Sequence, residues 1–440
     1  MTHYPNPLFE QLYVTAESSY GIAPDADADE AIAHTRAAFT LTHERAARDE
    51  RHAGRGTADQ VTRRRSLEYE IEGYLMPGET GPGAAHALLA AHALSSSASG
   101  TTTVAAAPTA TSCTVAQQVA QVGDAVGFTQ GDDYHVRVVT DAAGGSIAWT
   151  PALPAAPVVG DSVRGATAYR PAARPASSMT IRRFLDGLAF AYPGCVGRLV
   201  EISLSAGNEA RWRFEGFGAD EHAAAIDALG ADITDAQTTI AVADAGRFDP
   251  GAVLAIQGEC VRVNDVALGG NELRVTRGYA GTTPSPHPAG TRIDPARPDS
   301  ATVTGVPVAG IAGRVLVGGA PFEITEAKLR IEEGVRMREC FGTPGPSGFT
   351  HPARRQTTLT LAGYFTPETA GLRGRIRAFA PIEVLVQAGN APGATFAFHA
   401  PRFAPRIPEI ASEAGREVPM ELSGPCLEDA GDDEIRLIFA

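Results

Sequence analysis

The chain has 440 residues, 44% of them hydrophobic and 20% charged, a globular composition that fits about two to four domains. Its formal net charge of −14 argues against gripping nucleic acid, which takes clustered Lys and Arg to neutralise phosphates; the one lysine is Lys328. Cys113, Cys195, Cys260, Cys340 and Cys426 are scattered, odd in number and form no CxxC, which points to reduced thiols and no zinc site. No apolar run is long enough to span a membrane, and Met1–Glu10 lacks a basic-then-apolar leader, so neither membrane nor export is expected.

In chain order, residues 36–75 predict a long β-hairpin. Phe39 and Leu41 alternate with Thr40 and Thr42, and Leu67, Tyr69 and Ile71 alternate with Glu68, Glu70 and Glu72. An excursion rich in Arg and Gly, Arg45–Arg65, separates the two strands. Ala84–Leu94 (AAHALLAAHAL) predicts a short helix by propensity. The Ser/Thr/Ala-rich stretch Ser95–Thr111 reads as a flexible linker, followed by a β segment from about Val115 to Tyr169. Leu199–Leu204 and Arg211–Phe214 predict strands around the turn Ala206-Gly207-Asn208. A second β segment, about Ile233 to Ile293, has strands at Val253–Ile256, Cys260–Val263 and Leu273–Arg277, with a turn at Gly269-Gly270-Asn271. Its cadence is like that of the earlier segment, and both read as small antiparallel modules placed in loops, where added length costs little closure entropy.

The last third repeats the first. Arg64-Arg65, Gly73-Tyr74 and Pro77 return as Arg354-Arg355, Gly363-Tyr364 and Pro367, each 290 positions later. The same offset places Phe39 on Leu329, Leu41 on Ile331, Tyr69 on Leu359 and Ile71 on Leu361, apolar on apolar. A helix is predicted again, at Glu368–Ala380, then Pro408–Pro419 around Ala414-Gly415 has a shape comparable to the strands and turn of 199–214, and a final strand Glu434–Phe439 follows. Two copies are too few for a solenoid, so the reading is a duplicated domain. The expected fold is mainly β with a little helix. Its two tandem sandwich or barrel cores each carry a short helix, and two small antiparallel modules are inserted. Residues 1–95 and 175–228 form the first core, 96–174 the linker and first module, 229–297 the second module, and 298–440 the second core.

Three stretches carry a family resemblance: Glu17-Ser-Ser-Tyr-Gly-Ile-Ala-Pro24, the strand Ser66–Pro77 (SLEYEIEGYLMP), and the helix after it. With them the chain resembles the tail tube proteins of long-tailed bacteriophages. The stretch from Val261 through Tyr279 to His287 also looks like a β module common in phage virion proteins. The resemblance implies a virion protein assembled in the host cytoplasm and polymerised as stacked rings, with the tape measure and the tail terminator or tip proteins as partners. DNA passes through without specific binding, and no cofactor, metal or membrane is involved. Six cores of four strands would give about 24 strands, and a tilt of roughly 40° then sets a backbone diameter of about 48 Å. Two cores per chain predict three chains per ring. Rings stacked head to tail make a contact that does not close, so they grow into a filament.

The resemblance also suggests site residues. Glu68, Glu70 and Glu72, with Thr358 and Thr360 in the second copy, are the expected bore-facing positions. Arg63, Arg64, Arg65, Arg354 and Arg355, with Arg48 and Arg338, are expected to reach the neighbouring ring and pair with acids such as Asp49, Glu50 or Glu339. Catalytic machinery is not expected: a phosphate loop needs a lysine that is missing, and neither HExxH nor GxSxG occurs. His86 and His92 read as incidental polar positions and His287 as a turn residue. The rival reading is a tail-tip or fibre protein whose β modules bind host carbohydrate. The repeated core speaks against it, as does the separation of Trp149 and Trp212.

Overall fold

The computed structural model describes residues 5–24, 30–47, 60–78, 82–83, 85–175, 177–298, 305–410 and 417–440. The fold is β-rich, with two α-helices among these residues. At its centre lies an antiparallel sheet of seven strands. Its strands are β1 (Arg36–Ala47), β2 (Gln60–Tyr74), β3 (Leu188–Ser205), β4 (Arg211–Gly218), β5 (Ile324–Glu332), β6 (Gln356–Tyr364) and β7 (Pro419–Leu427). Their spatial order is β1-β2-β4-β3-β5-β6-β7. The two copies therefore share one sheet, joined where β3 of the first pairs with β5 of the second, Val200 opposite Ile331 and Ile202 opposite Leu329.

Period-two alternation gives this sheet two unlike faces. Leu67, Tyr69, Ile71, Leu329, Ile331, Leu359 and Leu361 are all buried on one of them. They belong to a single apolar cluster running through both copies, which also takes in Leu88 and Leu89 of α1 (Ala85–Ala91) and Leu372 and Ile376 of α2 (Pro367–Arg377). Behind the sheet, the hairpin Met179–Leu185/β3 backs the first copy and Ile382–Ala388/Phe396–Phe403 the second. The repeated Gly-Tyr has a steric cause. A Cβ on Gly73 would lie 2.8 Å from the Ala33 carbonyl oxygen, and one on Gly363 would lie 2.7 Å from that of Glu323. Both are close backbone approaches that only glycine permits.

Helix α1 is shorter than its sequence suggests. Ala93 takes a left-handed φ of 55° and Leu94 already starts a strand. The linker reading of 95–111 is corrected: Leu94–Ala98 pairs with Thr167–Pro171, and Thr102–Ala106 enters a barrel. Ser, Thr and Ala are linker-like in composition, yet here they alternate, with Thr102 and Val104 inward and Thr103 and Ala105 outward. Six strands between Thr102 and Gly165 close this barrel around Val126, Phe128, Ile147 and Trp149. Its sibling between Asp227 and Pro295 is an open six-stranded sheet with its own core of Leu254, Val261, Val263 and Leu273. Similar cadence thus hid two different closures.

Inserted in the first copy, the barrel packs on the second. Tyr134, Val136 and Val138 lie against Leu316, Leu385, Ala397 and Ile438. The Gln387 side chain donates to the Tyr134 carbonyl at 2.7 Å and accepts from the Val136 N–H at 3.1 Å. Thr150 donates to Glu383 at 2.7 Å, and Glu383 also meets the buried His399 at 2.9 Å.

Candidate functional site: the polar face and the edges of the shared sheet

The face of the sheet turned away from the core carries the charged residues of the alternating strands. Glu68 is exposed there, and Glu70 and Glu72 are partly covered by arginines from the strands on either side. Arg36 on β1 lies 2.9 Å from Glu70 and 3.2 Å from Glu72, and Arg213 on β4 lies 2.9 Å from Glu70. The ladder continues across β4 and β3, where Glu215 is paired by both Arg198 and Arg213. Lys328 on β5 reaches Glu201 on β3 at 3.0 Å, carrying the ladder over the junction between copies. Burial works to raise the Glu70 carboxyl, but its hydrogen bond with Glu72 and the charges of Arg213 and Arg36 outweigh it and hold it below its ordinary range. The face is therefore laced with opposite charges in its first half. On β6 of the second half the acids are gone: Thr358 and Thr360 occupy the places of Glu68 and Glu70, and the Thr360 hydroxyl lies 3.0 Å from that of Ser423, while β5 beside it keeps the Arg330–Glu332 pair.

The arginines expected to leave the subunit are placed differently from one another. Arg48 lies outside the described residues. Arg63, Arg338 and Arg354 are exposed. Arg64 meets Glu339 of its own chain at 3.3 Å. Arg65 clasps Asp220 with two contacts of 3.0 Å. Arg355 is largely buried, 2.6 Å from Glu333 and 3.0 Å from Glu434. Arg65 and Arg355 thus tie the excursions to their own core.

Some residues had no distinguishing signal in the sequence. Glu17 is buried and accepts hydrogen bonds from the Ser178 and Thr180 hydroxyls at 2.5 and 2.6 Å and from the Gly194 and Gly21 N–H groups at 2.8 Å. It pins the N-terminal strand Glu10–Ala16 to the hairpin Met179–Leu185/β3, so the ESSYGIAP stretch has a structural reason for its glutamate. His92 is wholly buried rather than incidental, with Nδ1 2.6 Å from the Leu88 carbonyl and Nε2 3.2 Å from that of Glu215. Burial pushes it down to about 4, so it stays neutral. His287 is likewise buried, 3.0 Å from Glu259, which Arg277 also grips at 2.6 and 2.7 Å. Burial opposes the charge on Glu259, but the Arg277 bond and its other donors prevail and bring it down to about 2. Both histidines serve packing. Among the described residues no group of three His, Cys, Asp or Glu side chains is arranged to hold a metal, and no helix is long and apolar enough to cross a membrane.

Two edges of the shared sheet carry no further strand among the described residues. One is β1, which pairs only with β2. The other is the segment after Phe403, held on β7 by the Ala404 N–H to the Pro425 carbonyl at 3.0 Å and the Arg406 N–H to the Ser423 carbonyl at 2.9 Å. A two-faced sheet whose two end segments carry no further strand among the described residues offers edges to which another strand can add.

Residues 249–424 match a family model described as phage tail tube protein, a span from the second module's Asp249 through β5, β6, α2 and most of β7. No curated protein matches the chain. Over those residues the chain is similar to the phage tail tube proteins, structural proteins of the virion tail.

Proposed function

We propose that this chain is the major tail tube subunit, three copies of which close into a pseudo-sixfold ring that stacks into the conduit for DNA ejection. The observation that supports this most is the shared sheet, in which two equivalent cores lie side by side in one continuous hydrogen-bonded ladder. Each core spans one sixth of a ring, so three chains suffice. In this reading the polar face lines the bore, and Glu68, Glu70, Glu72, Thr358 and Thr360 meet the passing DNA. Carboxylates repel phosphate while their arginine partners keep the lining near neutrality, so the duplex neither sticks nor is barred. Of the arginines expected to leave the subunit, Arg63, Arg338 and Arg354 are exposed and placed to reach a neighbouring ring.

The chain divides, in the same reading, into a first core (1–95 and 175–228), the inserted barrel, the second module (229–297) and a second core (298–440). The two modules stand on the outside of the tube. A contractile sheath has to pack directly on its tube, so outward modules favour a non-contractile tail. The test is negative-stain electron microscopy of concentrated protein. Hollow tubes of uniform bore with three outer projections per ring are expected. Discrete particles, even after mixing with tail-initiation components, would overturn the reading.

A further inference from the structure

The junction inside the chain has a vacant twin at its end. The β3–β4 hairpin and the segment that ends in β7 match without a gap, 208 positions apart: Arg198-Leu-Val-Glu-Ile202 against Arg406-Ile-Pro-Glu-Ile410. The backbone agrees. In the first copy the β3–β4 register shifts at Arg198, between Gly197 opposite Gly216 and Leu199 opposite Glu215. In the second, the Arg406 N–H bonds the carbonyl of Ser423, the counterpart of Glu215. A Cβ on Gly216 would fall 2.1 Å from the Val196 oxygen, and one on the matching Gly424 would fall 2.3 Å from that of Ala404.

What differs is the cover. Leu199 and Ile202 are 3% and 1% exposed because β5 lies along β3, with Leu199 opposite Glu332 and Ile202 opposite Leu329. Their counterparts Ile407 and Ile410 are 50% and 45% exposed. The counterpart of β5 is β1, where Thr42 stands for Glu332 and Phe39 for Leu329, and β1 has an unpaired edge. Each chain thus carries one filled seam and the two halves of another.

We propose that residues 406–410 of one copy lie antiparallel along β1 of the next, with Ile407 opposite Thr42 and Ile410 opposite Phe39. The occupant of each edge is a second copy of this chain, because the seam that would form repeats one the chain already makes. Phe39 is prepared for it: its ring stacks on Tyr192 at 4.0 Å, leaving the strand edge open. The inference rests on the ring reading and adds its register.

The test is cysteine pairing in the full chain with exposed Cys340 changed to serine. Thr42→Cys with Ile407→Cys is oxidised after assembly and run on a non-reducing gel. Most of the protein should move to a covalent trimer, while each single variant and the off-register pair Thr40→Cys with Ile407→Cys stay largely monomeric. Rings or tubes in the microscope with no cross-link, or with equal cross-linking off register, would overturn the register and leave the ring reading standing. Absence of any ring from the unaltered chain would overturn both. A second variant guards against misfolding. Ile410→Asp, at a position half-exposed in the single chain, should keep the circular dichroism and melting of the parent and lose assembly at least ~10-fold; unimpaired assembly would contradict the seam.

Discussion

Strands β2 and β6 are the same strand made twice: their core faces stay buried in both copies, while their outer faces differ in charge. Toward the core, Tyr69 and Ile71 are matched by Leu359 and Leu361, all buried, and both strands carry a glycine one residue before their end with the same steric demand. Away from it, Glu68, Glu70 and Glu72 are matched by Thr358, Thr360 and Ala362. Packing density constrains the inner face, where a lost methylene is felt at once. The outer face answers to whatever it meets, so it is there that two copies of one fold drift apart.

The comparison can be broken most sharply in the core. Ile71→Ala and Leu361→Ala should each cost about 2–5 kcal/mol. Both should lower one common melting transition, since a single apolar cluster joins the copies. Calorimetry showing two transitions, with each variant moving only one, would separate the copies.

A smaller effect should distinguish them by pH. His92, at the end of α1, is held neutral at about 4 against its ordinary 6.5, and α2 contains no histidine. The unfolded chain therefore takes up the proton first. The stability this neutrality represents is intact above about pH 6.5 and lost as pH falls toward about 4, by up to ~3 kcal/mol. Melting of His92→Asn should be flatter across that window than melting of the parent, and parallel curves would remove His92 as the cause. Next comes the barrel. Gln387→Ala should loosen its seat on the second copy by about 1–3 kcal/mol, since it strands the buried Tyr134 carbonyl and Val136 N–H. Hydrogen exchange should rise in 133–138 and leave the first copy unchanged. The smallest effect belongs to the polar face. Glu70→Gln should shift stability by less than ~1 kcal/mol, because its partners are solvent-accessible. A larger loss in denaturant melts would mean that the charge ladder holds the sheet together.

The repeat and the alternating strands were legible because burial on one face writes a period of two into the sequence, and Gly73 and Gly363 fixed the register between copies. The strands at 94–106 were not, since Ser, Thr and Ala serve a linker and a strand equally well. Neither cadence nor length distinguished the closed barrel from the open sheet, because closure depends on pairings between residues far apart in sequence. The polar face was half legible. Alternation located Glu68, Glu70 and Glu72, but the arginines that face them come from Arg36 and from Arg213, which lies far along the chain. Arg65 and Arg355 were read as outward-reaching for the same reason: Asp220, Glu333 and Glu434 become their neighbours only in the folded chain.

The central claim is that one chain supplies two of six equivalent positions in a ring. Cryo-electron microscopy of assembled tubes, averaged without imposed symmetry, tests it most directly. The account predicts three chains per ring, six near-identical sheet segments lining one bore, and modules projecting with threefold symmetry. Six chains per ring, or a bore lined by only one of the two copies, would contradict it.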